Sequence, residues 1–397
     1  VTTAHAAAQP LSGNHIAAGP LTEPPSGRSL LPARAYTGED EFRAEQRLIF
    51  GAGWVWAGYA HWLAEPGAVH PVTVAGQPLL LVLDEQHRIR VFHNSCRHRG
   101  MTLTEEPTVV RKRIQCAYHC WSFGLDGKLC AAPFYGRAKG TAVDAELGDR
   151  LALVPVAAHV WAGLIFVDLA AADTDPQACA ADFTDRLAPL LRRWSHIDFD
   201  RLHPIEERRF DVAANWKLVV ENFLDFYHLP FIHPQVGPVA AALDIDDLVL
   251  RPDIMGGSYP RGAVGKAGKT EKRLPWLGEV PAELRERQDI FCVFPNALLF
   301  LEADWFQVIG FDPLAPDRTL EHMAVFVDRT AAGAEYAGTR TQLAEALFAV
   351  NEQDLPILRR LQAGRHSPAA DATNLVAAWD QITALFQQRV ADRANHR

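Results

Sequence analysis

The sequence predicts an α+β protein of two structural units: a small all-β unit towards the N-terminus, then a larger unit that sets an antiparallel sheet against helices. Three observations carry this. Short β-type runs at 69–74, 78–83, 89–93, 114–116, 121–125 and 151–155 are broken by turn residues, including Gly76, the polar stretch 84–87 and the hairpin pair Asp126-Gly127. Apolar runs at 290–300, 305–311 and 320–328 read as three consecutive strands. Segments with helical spacing surround them at 180–194, 215–227, 335–361 and 374–389.

Taken in order, residues 1–37 are rich in Ala, Gly, Pro and Ser and read as a flexible arm; they lack the basic start and compact apolar core of a signal peptide. Residues 38–53 read as a helix ending at glycines that packs on the second unit, residues 54–158 as the all-β unit, and residues 159–397 as the α+β unit. Within the latter, 160–168 and 202–212 are expected as strands, 246–281 as a long mobile loop, and the 335–361 helix as kinked or split at Pro356. Of the 397 residues, 48% are hydrophobic and 22% charged, with a formal net charge of −9 and no basic block. That balance fits a cytoplasmic globular protein and argues against nucleic acid, whose phosphates need clustered Lys and Arg. No apolar run is long enough to span a membrane.

Four of the six cysteines fall between positions 96 and 130, with histidines interleaved. Clustering of that kind points to a metal site rather than a disulfide framework. The sequence reads Cys96-Arg-His98, then, further on, Cys116-Ala-Tyr-His119. Each half offers one thiolate and one imidazole, the mixture a Rieske [2Fe–2S] cluster takes: two thiolates on one iron and two histidines on the other. Zinc sites usually group Cys with Cys and His with His, whereas here the two types alternate. Trp121 is expected to shield the cluster from water.

A second constellation lies further along. Asp225 and His228 are three apart and are expected on one helix face. His233 lies five beyond His228, and Pro230 is expected to break the helix so that His233 turns to the same point. Two histidines and one carboxylate would form a facial triad with open positions. Spacing leaves Asp354 and Glu352 both open as the carboxylate.

Together these segments resemble the α subunits of Rieske non-heme iron oxygenases, the ring-hydroxylating family, over about residues 38–364. The resemblance rests on Cys96-x-His98, Cys116-x-x-His119, the spacing of Asp225, His228 and His233, and Asp354 with Gln362 and Gly364 at the expected offsets. It implies Asp354 over Glu352, and a helix-grip second unit with a curved antiparallel sheet. It further implies a homotrimer in which the cluster of one subunit faces the iron of the next. Asp225 would bridge His228 to His119 across that interface, with Asn222 near the iron. Two departures stand out. Cys120 occupies a position that is commonly Gly in the family. Asp225 follows Asn222 by three, one fewer than in many aromatic-hydrocarbon dioxygenases, which resembles the monooxygenases and demethylases acting on choline, betaines and carnitine.

The resemblance thus implies a terminal oxygenase component holding a [2Fe–2S] cluster and a mononuclear Fe(II). O₂ would be the co-substrate, with electrons from NAD(P)H through a separate reductase and a ferredoxin as a further carrier. Hydroxylation or N-demethylation of a quaternary amine or betaine is the favoured reading. Ring hydroxylation of an aromatic acid is the alternative, for which Arg251, Arg261 or Lys266 would supply the countercharge. A Rieske electron carrier without oxygenase activity is the alternative of another class. Phe223, Phe231, Phe294, Phe300 and Trp305 are the pocket candidates, with Phe291 and Phe306 behind them; an aromatic cage would hold an ammonium by cation–π attraction.

Overall fold

Alternation along the strands sets the architecture. The computed structural model describes residues 27–135, 143–171, 174–233, 235, 247–261 and 272–395. Most of the expected N-terminal arm lies outside the described residues, but 27–37 are tied down. β1 (Gly27–Arg28) pairs with β19 (Asn374–Leu375), the Ala33 amide donates to Asp371, and the Leu30 amide donates to Gln387. After α1 (Arg34–Thr37), α2 (Glu39–Glu45) continues through a π turn over Gln46–Phe50 and stops at Gly51, close to the expected boundary.

β2 (Trp54–Tyr59) precedes a four-stranded antiparallel sheet of β3 (Ala68–Val74), β4 (Gln77–Leu83), β5 (Ile89–His93) and β6 (Thr108–Val109). A three-stranded sheet follows, made of β7 (Arg113–Gln115), β8 (Ser122–Gly124) and β9 (Leu129–Ala131). Leu80, Val82, Phe92, Ile114, Phe123 and Leu129 fill the space between these sheets. The Asp126-Gly127 turn forms as expected: Gly127 has φ +86°, and a Cβ there would sit 2.5 Å from the Phe92 ring. The expected strand at 151–155 reduces to a single bridge between Phe92 and Pro155, and an unexpected helix, α3 (Ala145–Arg150), precedes it. Asp144 caps that helix by accepting the Leu147 amide, an N-terminal signal the strand reading passed over.

The expected strand 160–168 is a hairpin, β10 (Ala157–Trp161) and β11 (Leu164–Asp168). Ala162 and Gly163 both have positive φ, 52° and 75°, which turns the chain in the two-residue loop. α4 (Pro176–Arg193) starts at Asp175, whose carboxylate accepts from the amides of Gln177 and Ala178. Next come β12 (Leu202–Val212), α5 (Trp216–Leu224), α6 (Leu229–Ile232), β13 (Val249–Leu250) and β14 (Ile254–Pro260). The last two correct the loop expectation for 246–281: its described part includes two strands. The run 290–300 is also two strands, β15 (Arg287–Val293) and β16 (Ala297–Glu302), because Pro295 and Asn296 interrupt it. With β17 (Trp305–Ala315) and β18 (Arg318–Asp328), they complete a seven-stranded antiparallel sheet in the order β12-β18-β17-β16-β15-β14-β13.

The central strands β15 to β18 are buried on both faces and read as near-continuous apolar runs, whereas the edge strand β12 is charged and half-buried. Met323, Val325, Ile309 and Phe311 face a core shared with α5, α7 (Ala337–Gly364) and α8 (Gln381–Asn395). Phe306, Val308, Ala324 and Phe326 face the other core, shared with β2, β11 and α4. A Cβ on Gly310 would lie 2.3 Å from the Trp56 ring, so only glycine lets β2 approach the sheet this closely. The helix-grip layout is thus present, with the sheet holding the long α7. Of the two outcomes expected at Pro356, splitting does not occur, since that helix continues through it, and α8 starts at 381 rather than 374. Among the described residues no helix is long and apolar enough to cross a membrane.

A fully buried ion pair holds the start of α5. Lys217 Nζ lies 2.7 and 2.8 Å from the two carboxylate oxygens of Glu45, and the Trp216 indole donates to the same carboxylate at 2.8 Å. Burial lowers the Lys217 pKa and Glu45 opposes that. We predict that Lys217→Met, which strands Glu45 in the core, costs about 3–5 kcal/mol in a denaturant-unfolding measurement. His70, stacked on Trp62 with ring centroids 4.5 Å apart, gives a pH dependence. Burial, with Arg209 and His322 nearby and Glu207 opposing, lowers its pKa to about 4. The native ring stays neutral while the unfolded chain takes up a proton, so this contribution is complete above about pH 6.5 and is lost as pH falls towards 4. In thermal melts, His70→Phe should therefore lose less stability than the parent between about pH 7 and pH 5.

Candidate metal centres and active-site cavity

Two loops of the all-β unit bring the first donor set together. One follows β5, where the Cys96 amide donates to Met101 O and the Gly100 amide returns to Cys96 O. The other joins β7 to β8, where the Cys116 amide donates to Trp121 O and the Cys120 amide to Cys116 O. Both sulfurs belong to buried residues, 3% and 2% exposed, while His98 is exposed. Burial raises the Cys96 thiol pKa; the His98 amide opposes this and the Cys116 thiol beside it adds to it. The two imidazoles converge through Nδ1, 3.1 Å apart. Inner thiols and outer imidazoles, each pair meeting at one place, fit a cluster with two sulfur-held and two nitrogen-held positions. Trp121 is buried and stacks on His98 at 4.8 Å and 11°, as expected for a shield.

The second donor set comes from α6 and α7. His228 Nε2 and His233 Nε2 lie 3.2 Å apart, and Asp354 Oδ1 lies 3.7 and 3.1 Å from them. These three ligand atoms fall within 4.8 Å of one another, and Asp354 Oδ1 is buried without a hydrogen bond. A buried lone pair aimed at two ring nitrogens is what a cation would satisfy. The His233 Nδ1 sits 2.7 Å from Gln353 Oε1, which leaves its Nε2 lone pair facing the convergence point. Against burial, Asp354 and Gln353 raise the His233 pKa. Glu352 is exposed and pairs with Arg208 at 3.3 Å, away from this point.

The local route to this geometry differs from the expected one. Asn215 caps α5 by accepting the Lys217 amide, and the helix ends at Leu224. Asp225 is already extended, at φ −87° and ψ 113°, so it does not share a helix face with His228. A turn brings them together instead, with His228 Nδ1 3.3 Å from Asp225 Oδ2. Pro230 does not break a helix; it sits in the first turn of α6, where its missing amide costs nothing. Asp225 is part-exposed and also accepts the Tyr227 amide at 2.7 Å.

A cavity of about 90 Å³ lies beside the triad. Helices supply one wall: Asn222, Phe223, Leu229, Leu347, Val350 and Asn351. The sheet supplies the other: Tyr259, Gln288, Ile290, Phe300, Gln307 and Ile309. Phe223 and Phe300 therefore stand where expected. Three pocket candidates do not. Phe231 is 71% exposed, because α6 turns it outward. Phe294 packs on Trp216 and Phe386 in the core. Trp305 stands behind Phe300, edge-on at 4.8 Å, on the far side of the β16–β17 turn. Phe291 and Phe306 face the opposite core. The sequence reading missed Tyr259, Gln288, Gln307 and Asn351; the signal for Gln307 was a lone amide inside an apolar strand. Among the described residues no Lys or Arg lines the cavity. Arg261 instead bridges Glu302 and Asp304, while Lys266 lies outside the described residues. Behind Asn351, whose amide donates to it at 2.8 Å, burial pushes the Glu321 carboxyl up to about 7, with Asp354 adding.

Cys120 has φ +57°, the left-handed conformation that favours glycine. Replacing it by Gly should raise the stability of the cluster-loaded protein by about 0.5–1 kcal/mol and leave the cluster's paramagnetic signal unchanged. The check is thermal melting beside the reduced spectrum.

Comparisons agree with the two donor sets. Residues 53–143 match the Rieske [2Fe-2S] domain, and residues 199–395 match the ring hydroxylating alpha subunit (catalytic domain). The glycine betaine monooxygenase oxygenase subunit of Chromohalobacter salexigens is 31% identical over 238 residues, 60% of this chain and 50% of that protein. The carnitine monooxygenase oxygenase subunit of Escherichia coli K12 is 30% identical over 207 residues, 51% of this chain and 52% of that protein. The chain thus spans about half the length of these curated relatives. A quaternary ammonium Rieske monooxygenase in complex with L-carnitine shares the fold, with TM-score 0.73 at 20% identity over 94% of this chain and 97% of that one. Naphthalene 1,2-dioxygenase with indole bound shares it at TM-score 0.66 and 21% identity, over 88% and 83% of the two chains. With the cysteine–histidine set on the first matched segment and the histidine–carboxylate set on the second, the chain belongs to the Rieske-type ring-hydroxylating alpha-subunit family.

Proposed function

We propose that this chain is the terminal oxygenase component of a multicomponent Rieske system, acting by hydroxylation or N-demethylation on a small quaternary amine or betaine. The carrying observation is the three-ligand set, His228 Nε2, His233 Nε2 and Asp354 Oδ1, open on one side to a small cavity that no Lys or Arg lines among the described residues. A pure electron carrier has no use for such a set. Cys96, Cys116, His98 and His119 would hold the [2Fe–2S] cluster; the triad would hold Fe(II), which supplies O₂ activation when bound. One oxygen atom would enter the substrate C–H bond. The other would leave as water, taking two electrons from NAD(P)H through a reductase and two protons, one of them released by NAD(P)H and one from solvent. Hydroxylation of an N-methyl carbon releases formaldehyde.

The chain's own residues have separable tasks in this reading. Gln353 fixes the His233 ring, and Asp225 orients His228 through Nδ1. Phe223, Tyr259 and Phe300 present ring faces to an ammonium. The absence of a lining cation disfavours an aromatic acid, and about 90 Å³ favours a small reacting end over fused rings. We also propose a homotrimer with head-to-tail contacts. Exposed Met101, Tyr118 and Phe134 lie in the all-β unit, and exposed Tyr227 and Phe231 flank His228. Joining two such patches across subunits would place Asp225 between His228 and His119 of a neighbour, a path for both electron and proton.

The test is metal analysis joined to turnover. The protein should hold about three irons per chain. His228→Ala should retain about two irons and the reduced-cluster signal, yet lose O₂-dependent product formation from glycine betaine or carnitine with a surrogate reductase. Full activity in that variant would overturn the assignment.

A further inference from the structure

Two amides face the cavity with nothing to bind. Gln288 on β15 is 2% exposed and Gln307 on β17 is 6% exposed, and both line the space beside the triad. Neither side chain makes a hydrogen bond to another described residue, whereas the buried amide of Asn296, in the turn between β15 and β16, makes three. Their remaining exposure is to the cavity, so a molecule that fills it displaces their water and must replace those contacts. An amide kept in a sheet otherwise built from Val, Ile and Phe points to a ligand atom that completes it.

Register fixes where that atom sits. β14 pairs Tyr259 with Gln288, and β16 pairs Phe300 with Gln307. Each amide thus lies directly beside an aromatic ring on the same face of the sheet. The triad and Phe223 come from the opposite, helical wall. A substrate held between the walls presents its reacting carbon to the helices and its far end to the sheet. The Tyr259 hydroxyl adds a third polar group on that side; burial, then Glu302, raises its pKa well above the usual range, so it stays a protonated donor. Arg261 does not compete for the far end, being held by Glu302 and Asp304.

We propose that Gln288 and Gln307 are specificity-determining residues that hydrogen-bond a carboxylate or hydroxyl oxygen at the end of the substrate remote from the oxidised carbon, so that the site takes small oxygen-bearing onium compounds. The proposal rests on the oxygenase reading for which carbon reacts, but not for what binds. Calorimetric titration of the iron-loaded protein, without reductant, tests it with four probes: glycine betaine, choline, tetramethylammonium and benzoate. The parent should bind the first two about tenfold or more tighter than tetramethylammonium, and benzoate least. Gln288→Leu and Gln307→Leu should each weaken betaine about tenfold and leave tetramethylammonium within about twofold. Gln307→Glu should turn preference from betaine towards choline, since a carboxylate repels one and accepts from the other. Iron content and the reduced-cluster signal confirm that each variant is folded. Equal weakening of all three cations, unchanged discrimination, or a parent that does not prefer the oxygen-bearing probes would overturn the proposal. The predicted binding pattern without any O₂-dependent product would support it and would overturn the oxygenase reading instead.

Discussion

Three acceptor atoms from two helices meet at one buried point, and much of the rest of the second unit is arranged to keep them there. Two ring nitrogens at 3.2 Å and a carboxylate oxygen at 3.1 Å from one of them leave little reason to stay together without a cation. The ends of the helices absorb that tension. The Asn215 amide at the start of α5 donates to Gln362 near the end of α7, and Gln362 donates onward to Tyr36 O. Lys217 and Glu45 fix the same turn from the N-terminal helix. Anchored at one end, α5 delivers Asp225 and the following turn to the same place as Asp354, eight residues before Gln362 along α7.

The all-β unit works by a different division of surface. Its thiols are buried while its imidazoles stay near the surface, so the cluster it would hold is insulated on the sulfur side and approachable on the nitrogen side. Trp121 covers one ring face of His98 and Tyr118 lies against His119, which leaves the ring edges to meet a partner. The second unit does the reverse: its donors are covered, and only the Asp225 side is part-exposed. On the proposed reading, this division would separate the entrance for electrons from the chamber for substrate.

How much of this was legible in the sequence depended on whether the determining contacts were local. The cluster residues were readable because each half is a tight loop in which a thiolate and an imidazole sit two or three residues apart. His228, His233 and Asp354 were readable as residue types, but the reason they converge was not. The chain leaves the helix at Leu224, before Asp225, and Pro230 starts a new helix rather than ending one. Neither follows from spacing, since the stop reflects how α5 is held against α7. The aromatic candidates failed for a related reason. Phe294 and Trp305 share the core of the cavity residues Ile290 and Ile309, yet they lie elsewhere along the chain: Phe294 packs on Trp216 and Phe386, and Trp305 stands behind Phe300. Period-two alternation names a face; only the pairing of β14 with β15, and of β16 with β17, says which face meets the triad.

Charge placement around the cavity follows the same logic as its shape. On the reverse face of the sheet, Arg193 is neutralised by Asp247 and Asp289, and on the cavity side Arg261 is neutralised by Glu302 and Asp304. These two arginines are therefore engaged by acids rather than turned to the cavity. What remains at the wall is one carboxylate at the triad, amide dipoles on the sheet and aromatic faces between them. Such a lining offers an anion no charge to meet, so an arriving carboxylate would surrender its hydration for hydrogen bonds alone. An onium would meet the ring quadrupoles of Phe223, Tyr259 and Phe300 instead. On the proposed reading, the ring faces would favour an onium over an anion, and the sheet amides Gln288 and Gln307 would then discriminate among oniums.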